Sequence, residues 1–219
     1  MLPVFFNSMN PKNVMTYDEY KKMTIDELKD MNSYELEGIE RKHYDYRKIN
    51  FQRITRIEKH FKPSNELINA IEKIKQPQIW MVITESWCGD SAQNLPIIAK
   101  AAELNNNIHL KIILRDENPH IMDMYLINGN RSIPQLIAFD TEGNKLFRWG
   151  PRPKTAQELV TKLKTEGLSK EEFTQQLHLW YGRNKGKDFE SELAEILLQT
   201  PKKYSHLKTT QNTLYKKNY

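Results

Sequence analysis

Between Gln78 and Trp149, short β-forming runs alternate with helical stretches, and this succession limits the fold more than any other feature of the chain. Gln78-Ile-Trp-Met-Val-Ile-Thr84 is an apolar run of strand length, rich in β-formers. Ala92–Leu104 places Leu95, Ile98, Ala99 and Ala102 on one face of a helix. Ile108–Leu114 reads as a second strand, Pro119–Leu126 as a short helix and Gln135–Phe139 as a third strand. Thr141-Glu-Gly-Asn144 has turn chemistry, so Lys145–Trp149 returns as a fourth strand in a hairpin. Thr155–Thr165 is again helical. The order β-α-β-α-β-β-α predicts an α/β domain: a mixed sheet of about four strands with helices on both faces.

Helical segments flank this unit. Residues 1–75 read as a helical N-terminal extension packed on the core, 76–166 as the α/β domain, 167–198 as C-terminal helices and 199–219 as a polar basic tail. Thr24-Ile-Asp-Glu27 fits a capping box with Thr24 as N-cap. From Tyr34 to Phe61 a proline-free stretch sets Leu36, Ile39, Tyr46, Ile54, Ile57 and Phe61 along one helical face. His43, Asn50 and Arg53 share that face, either edging the buried stripe or pointing toward a neighbouring site. Ser169-Lys-Glu-Glu172 is a second capping box, ahead of Phe173, Leu177 and Trp180. Asp188 can cap a last helix carrying Leu193, Ile196 and Leu197.

Charge and cysteine content narrow the function. The chain has 219 residues and a net charge of +5. From Gln199 to Tyr219 there are five lysines and no acid, so the tail carries the whole excess and the rest is balanced. A nucleic-acid binder gathers its basic charge on a folded face; this pattern predicts no nucleic-acid partner. No apolar run approaches the ~18 residues of a membrane span, and the N-terminus lacks a basic signal-peptide region, which predicts a cytoplasmic protein away from membranes. One cysteine excludes an internal disulfide and a thiolate-based zinc site. The six histidines show no metal-ligand spacing, so no metal site is expected.

That single cysteine lies in Glu85-Ser-Trp-Cys-Gly-Asp-Ser91, where the first strand ends and a helix begins. Unpaired N–H groups and the macrodipole at a helix start favour an anion there, which lowers a thiol pKa. Ser91 can turn its hydroxyl back on the sulfur, while the Asp90 carboxylate opposes thiolate. Cys88 is therefore expected to be partly accessible and to titrate below a free thiol; the alternative is an inert buried cysteine.

The chain resembles the thioredoxin family on four landmarks. Trp87-Cys88-Gly89 matches the family's Trp-Cys-Gly-Pro-Cys signature. Pro96 matches the proline of its active-site helix, Ser132-Ile133-Pro134 its Ile-Pro loop, and Gly150 the glycine ending the following hairpin. The match runs from Trp80 to about Leu163. A narrower resemblance, over most of the chain, is to bacterial single-cysteine thioredoxin-like proteins with segments similar to Trp87–Asp90, Arg115–Asn118, Arg131–Pro134 and Trp149–Pro153. The Cys-Gly-Asp-Ser order is also similar to the Cys-Gly-Phe-Ser of monothiol glutaredoxins.

The resemblance implies a thioredoxin-like fold with a cis Pro134 facing the thiol. It places Cys88 as nucleophile, Ser91 beside it, and Trp87, Gly89, Asp90, Ile133 and Pro134 along the substrate. It also exposes departures: Ser91 stands where the resolving cysteine would be, Asp90 replaces the motif's proline, and Val82 occupies the position of the buried acid. Dithiol turnover needs two thiols, so the expected function is monothiol thiol–disulfide exchange. Protein or small-thiol disulfides would be its partners. No bound cofactor is implied; an external thiol, glutathione or a similar small molecule, would resolve the intermediate. A non-catalytic binding module that holds an extended peptide along Ile133-Pro134 is the alternative. Arg115, Arg131 and Arg152 either greet an acidic ligand or are paired. Oligomeric state is left open.

Overall fold

The computed structural model describes residues 4–30 and 35–200. Four helices come first: α1 (Val4–Ser8), α2 (Tyr17–Asp30), α3 (Gly38–His60) and α4 (Asn65–Glu72). They lead into strand β1 (Gln78–Thr84), helix α5 (Gly89–Glu103) and strand β2 (Ile108–Leu114). Helix α6 (Pro119–Met122) continues as a 3-10 turn through Tyr125, and the hairpin β3 (Gln135–Phe139) and β4 (Lys145–Trp149) follows. Helices α7 (Lys154–Thr165), α8 (Lys170–Asn184) and α9 (187–200) close the described chain.

The sheet has the order β2-β1-β3-β4. β1 and β2 are parallel, with Gln78 opposite Ile108 and Thr84 opposite Leu114, while β1–β3 and β3–β4 are antiparallel. A parallel neighbour requires a crossover, and α5 supplies it. Both faces of the sheet are covered. Trp80, Val82, Ile112 and Leu136 pack with Leu95 and Ile98 of α5, Ile71 of α4 and Leu193 of α9. Met81, Ile83, Ile113 and Ile137 pack on the other face with Phe6, Ile121, Met122 and Cys88. The near-continuous apolar run of β1 follows from burial on both sides. The N-terminal segment also reaches the outer edge of β2, where Met15 bridges Ile112. No helix among the described residues is long and apolar enough to cross a membrane.

Three flanking expectations are corrected. Thr24 is not an N-cap: it lies inside α2, and its hydroxyl donates to the Tyr20 carbonyl one turn back at 3.0 Å. The capping box belongs to Thr16, whose N–H and hydroxyl reach the Glu19 carboxylate, while the Glu19 N–H returns to the Thr16 hydroxyl. Both quartets have the required residue types, and the helix starts at the earlier one. The stripe on α3 is buried only in part. Ile54 is buried and Ile57 and Phe61 pack against the core, but Ile39 and Tyr46 are 64% and 39% exposed, because burial is deep only from Asn50 onward. Asp188 does not cap α9; its N–H is itself capped by Asn184 Oδ1 at 3.1 Å. The Ser169–Glu172 capping box is present. Of the basic tail expected at 199–219, α9 takes in residues 199 and 200, and 201–219 lie outside the described residues.

Candidate thiol site

Cys88 is the N-cap of α5, in extended conformation after the turn that leaves β1. Its thiol donates to the carbonyl oxygen of Ile133 at 3.4 Å. The Ile133–Pro134 peptide is cis, and the turn before β3 lies against the sulfur. Gly150 closes this arrangement from the hairpin side: at φ +133°, a Cβ there would stand 2.2 Å from the Pro134 carbonyl oxygen.

Behind the sulfur runs a chain of hydroxyls. Thr84 Oγ1 donates to Ser91 Oγ at 2.7 Å. The Ser91 hydroxyl and the backbone N–H groups of Asp90 and Ser91 lie near the sulfur and favour its thiolate, but none of them caps the thiol, whose hydrogen bond runs to Ile133. Tyr20, fully buried on α2, lies beside Thr84 and has its own pKa raised, first by burial.

The expected accessible, acidified thiol is not what forms. Cys88 is 8% exposed, and burial, reinforced by the Asp90 carboxylate, pushes its pKa up to about 11. The hydrogen-bond donors at the helix start are all present, but desolvation outweighs them. The cause lies outside the motif: the sulfur packs in a cluster with Phe6, Ile121, Met122 and Ile133, and the residues on either side of it are covered too. Trp87 is half-buried between the stacked ring of His43 from α3, 4.6 Å away, and the Arg115 guanidinium at 4.8 Å. From α8, His178 covers Gly89 so closely that a Cβ would stand 2.7 Å from its Nε2. Burial and the neighbouring Arg53, Arg152 and Arg56 push the His178 pKa down to about 3, so the imidazole is neutral.

His43, Asn50 and Arg53 thus point to the site rather than merely edging a stripe. Asn50 Nδ2 donates to the Ser86 carbonyl at 3.1 Å, and Arg53 Nη1 donates to Asn50 Oδ1 at 2.8 Å. Asp90 is more than a helix-start residue. Its buried carboxylate accepts from Arg152 Nε at 3.1 Å, from Arg152 Nη2, and from the Tyr181 hydroxyl at 2.7 Å. Asn94 ties into the same cluster, donating to the Asp90 carbonyl and to the Tyr181 oxygen. Arg115 and Arg131 are paired with Asp116 and Asp123.

Sequence reasoning missed Tyr20, Tyr181, His178 and Glu85. The first three arrive from α2 and α8, and no local spacing links them to the motif; Glu85 was in view within it. Val82 is fully buried and brings no carboxyl group. Besides Asp90, the motif buries a second carboxyl, Glu85, which accepts from the Asp116 N–H at 2.8 Å and is pushed up to about 7, mainly by burial. A carboxyl raised from 4.5 to about 7 keeps a proton that the unfolded chain has already lost. Its contribution to stability is therefore whole below pH 4.5 and is lost as the pH rises to about 7. The loss amounts to up to about 3 kcal/mol. Glu85→Gln keeps the acceptor and removes the titration. It is expected to raise the melting temperature at pH 8 and to match the parent at pH 4.5, as thermal unfolding across that range would show; equal melting temperatures at pH 8 would contradict it.

A cysteine capping the helix after a central strand, against a cis-proline turn that opens an antiparallel hairpin, defines a thioredoxin-fold protein. The sequence agrees: the family model described as thioredoxin matches residues 39–164, more than half of the chain, and the chain belongs to that family. Among solved structures, a protein of unknown function from Pseudomonas aeruginosa is similar at 20% identity, with a TM-score of 0.50, over 68% of this chain and 84% of that one; it shares the fold. An HIV epitope scaffold aligns at 18% identity, with a TM-score of 0.49, over 84% of this chain and 98% of that one. No curated protein matches the sequence.

Proposed function

We propose that the chain is a monothiol thiol–disulfide exchange protein with Cys88 as nucleophile. The observation that carries this is the contact of Cys88 Sγ with Ile133 O, which sets the sulfur against the turn before β3. In exchange, Cys88 gives up its proton to water, and its thiolate attacks one sulfur of a substrate disulfide. The S–S bond breaks, the other sulfur leaves as a thiolate, and a mixed disulfide forms. A second, external thiol then attacks that mixed disulfide, returns Cys88 to the thiolate and leaves disulfide-bonded to the substrate sulfur. Glutathione or a similar small thiol suits this step. Ser91 and the N–H groups of Asp90 and Ser91 stabilise the thiolate. Trp87, Gly89, Asp90, Ile133 and Pro134 frame the approach, the Ile133-Pro134 turn offering backbone to an extended substrate. A lone cysteine suits a reducing compartment such as the cytoplasm.

Burial of the same sulfur favours a second function, a non-catalytic module that binds peptides along the Ile133-Pro134 turn. With a pKa of about 11, roughly one thiol in ten thousand is ionised at pH 7. Alkylation by iodoacetamide from pH 6 to 11, together with turnover of a small mixed disulfide in the presence of glutathione, separates the two. Exchange requires measurable turnover that Cys88→Ser abolishes. No turnover with any supplied thiol leaves the binding module.

Ser91→Cys tests the site geometry directly. Positions 88 and 91 lie one turn apart at the start of α5, and the Ser91 hydroxyl lies near enough to the sulfur to favour its thiolate. The variant should close an intramolecular disulfide under mild oxidation and gain partial insulin-reducing activity, since Val82 supplies no acid and Asp90 opposes the thiolate. Mass spectrometry showing two free thiols, or only intermolecular dimers, would refute this placement.

A further inference from the structure

Beyond the thiol, α3 and α8 stand apart over α5 and leave two adjoining hollows of about 490 and 610 Å³ that share Arg56 and Gln93. Charge is uncompensated there. Arg53 is half-buried, and among the described residues its guanidinium has one hydrogen bond, to Asn50 Oδ1, with no carboxylate in ion-pair range. Arg56 has neither an ion pair nor a hydrogen bond among the described residues. Of the acids nearby, Asp90 is committed to Arg152 and Tyr181, and Glu171 stands exposed at the rim. Even a half-buried guanidinium with unused donors favours an anion that meets it. Burial and the neighbouring Arg56 lower the Arg53 pKa to about 10, which still leaves it charged at neutral pH. His178, which lines the same hollow, is neutral and adds no charge.

The remaining wall is apolar. Ile49 of α3 and Leu179 of α8 both line the larger hollow, with Tyr46, and are 43% and 53% exposed. Open apolar surface rimmed by unmatched cations calls for a ligand with one of each. From these juxtaposed features we propose that the groove between α3 and α8 binds a small organic carboxylate with an apolar body, the carboxylate forked by Arg53 and Arg56 and the body lying between Ile49 and Leu179. A planar guanidinium fork matches a carboxylate in two parallel hydrogen bonds. Arg53 Nη1 is also 3.6 Å from where a Gly89 Cβ would stand, so the charged end of the groove abuts the residue after the thiol.

Octanoate is the probe, with acetate, inorganic phosphate and octyl phosphate as comparators, measured on the full chain by calorimetry and by amide shifts around His178 and Arg53. Octanoate is expected to bind at least about ten-fold more tightly than acetate or inorganic phosphate, and no more weakly than octyl phosphate. Arg56→Gln should weaken it about ten-fold or more, and Leu179→Gln should weaken octanoate while leaving acetate unchanged. Both residues are exposed, so these variants fold even if Arg53→Gln does not. The assignment is overturned if octanoate fails to bind or binds Arg56→Gln equally well. Acetate or phosphate binding as tightly as octanoate, or octyl phosphate binding about ten-fold more tightly, also overturns it.

Discussion

Gly150→Ala is expected to lower the stability of the chain by about 3 kcal/mol or more. Gly150 has φ +133°, where an L side chain is strained. The larger difficulty is contact: the new Cβ would stand 2.2 Å from the Pro134 carbonyl oxygen, 3.2 Å from its carbon and 3.3 Å from Gln135 Cα. All three atoms are backbone, so no rotamer change relieves the overlap. The next pair along the hairpin, Leu136 opposite Trp149, fixes the register and leaves the two strands no freedom to part. Gly129→Ala is the control. Gly129 also has positive φ, +76°, but meets nothing within 4 Å, so only backbone strain of about 1 kcal/mol applies. Urea unfolding of both variants checks the difference, and equal midpoints would contradict the close approach. Because the displaced turn is the one that covers Cys88, faster alkylation of the folded Gly150→Ala protein should accompany the loss.

Breaking the Asp90–Arg152 pair is expected to be nearly as disruptive. Arg152→Ala leaves the Asp90 carboxylate, 8% exposed, with only the Tyr181 hydroxyl and no positive partner. Removing one member of a buried ion pair costs about 3–5 kcal/mol, far more than the pair itself contributes. The pair also links elements distant in sequence: Asp90 starts α5, Arg152 follows β4 and Tyr181 sits on α8. Asp90→Asn should destabilise for the mirror reason and have an effect that Arg152→Ala lacks. The Asp90 carboxylate is the second cause of the raised Cys88 pKa, after burial. Its loss should bring the thiol below about 11 and speed alkylation at pH 8–9, whereas Arg152→Ala, which keeps the carboxylate and removes a cation, should slow it. Guanidinium unfolding and alkylation rates against pH measure the two effects separately. An Arg152→Ala protein as stable as the parent would show the pair to be dispensable.

The strands and the thiol's place at the head of α5 were legible because local pattern decides them. The four apolar runs at 78–84, 108–114, 135–139 and 145–149 become strands with those bounds, since each is short, rich in β-formers and bounded by turn residues. The environment of the thiol was not legible. Cys88 looks accessible and acidified when only residues 85–91 are considered, because the helix start is all that such a window contains. Its burial comes from the Ile133 turn and from an apolar cluster that includes Phe6 of α1 and Ile121 and Met122 of α6, all distant from it in the chain. Thr24 and Asp188 fail for a related reason. Both are good caps in isolation, but Thr16 and Asn184 cap first, and nothing in a four-residue motif says which of two candidates the fold will use.

The hydrogen bond from Cys88 to Ile133 O also bears on oxidative damage. Peroxide attacks thiolates, not thiols, and the first product, a sulfenic acid, is normally rescued by a neighbouring cysteine. The lone cysteine of this chain has no such neighbour, so once oxidised it would continue to the irreversible sulfinic acid unless a foreign thiol arrived first. A peptide oxygen is too weak a base to take the proton it is offered. Held protonated in that hydrogen bond and shielded from solvent, the resting sulfur presents little to an oxidant.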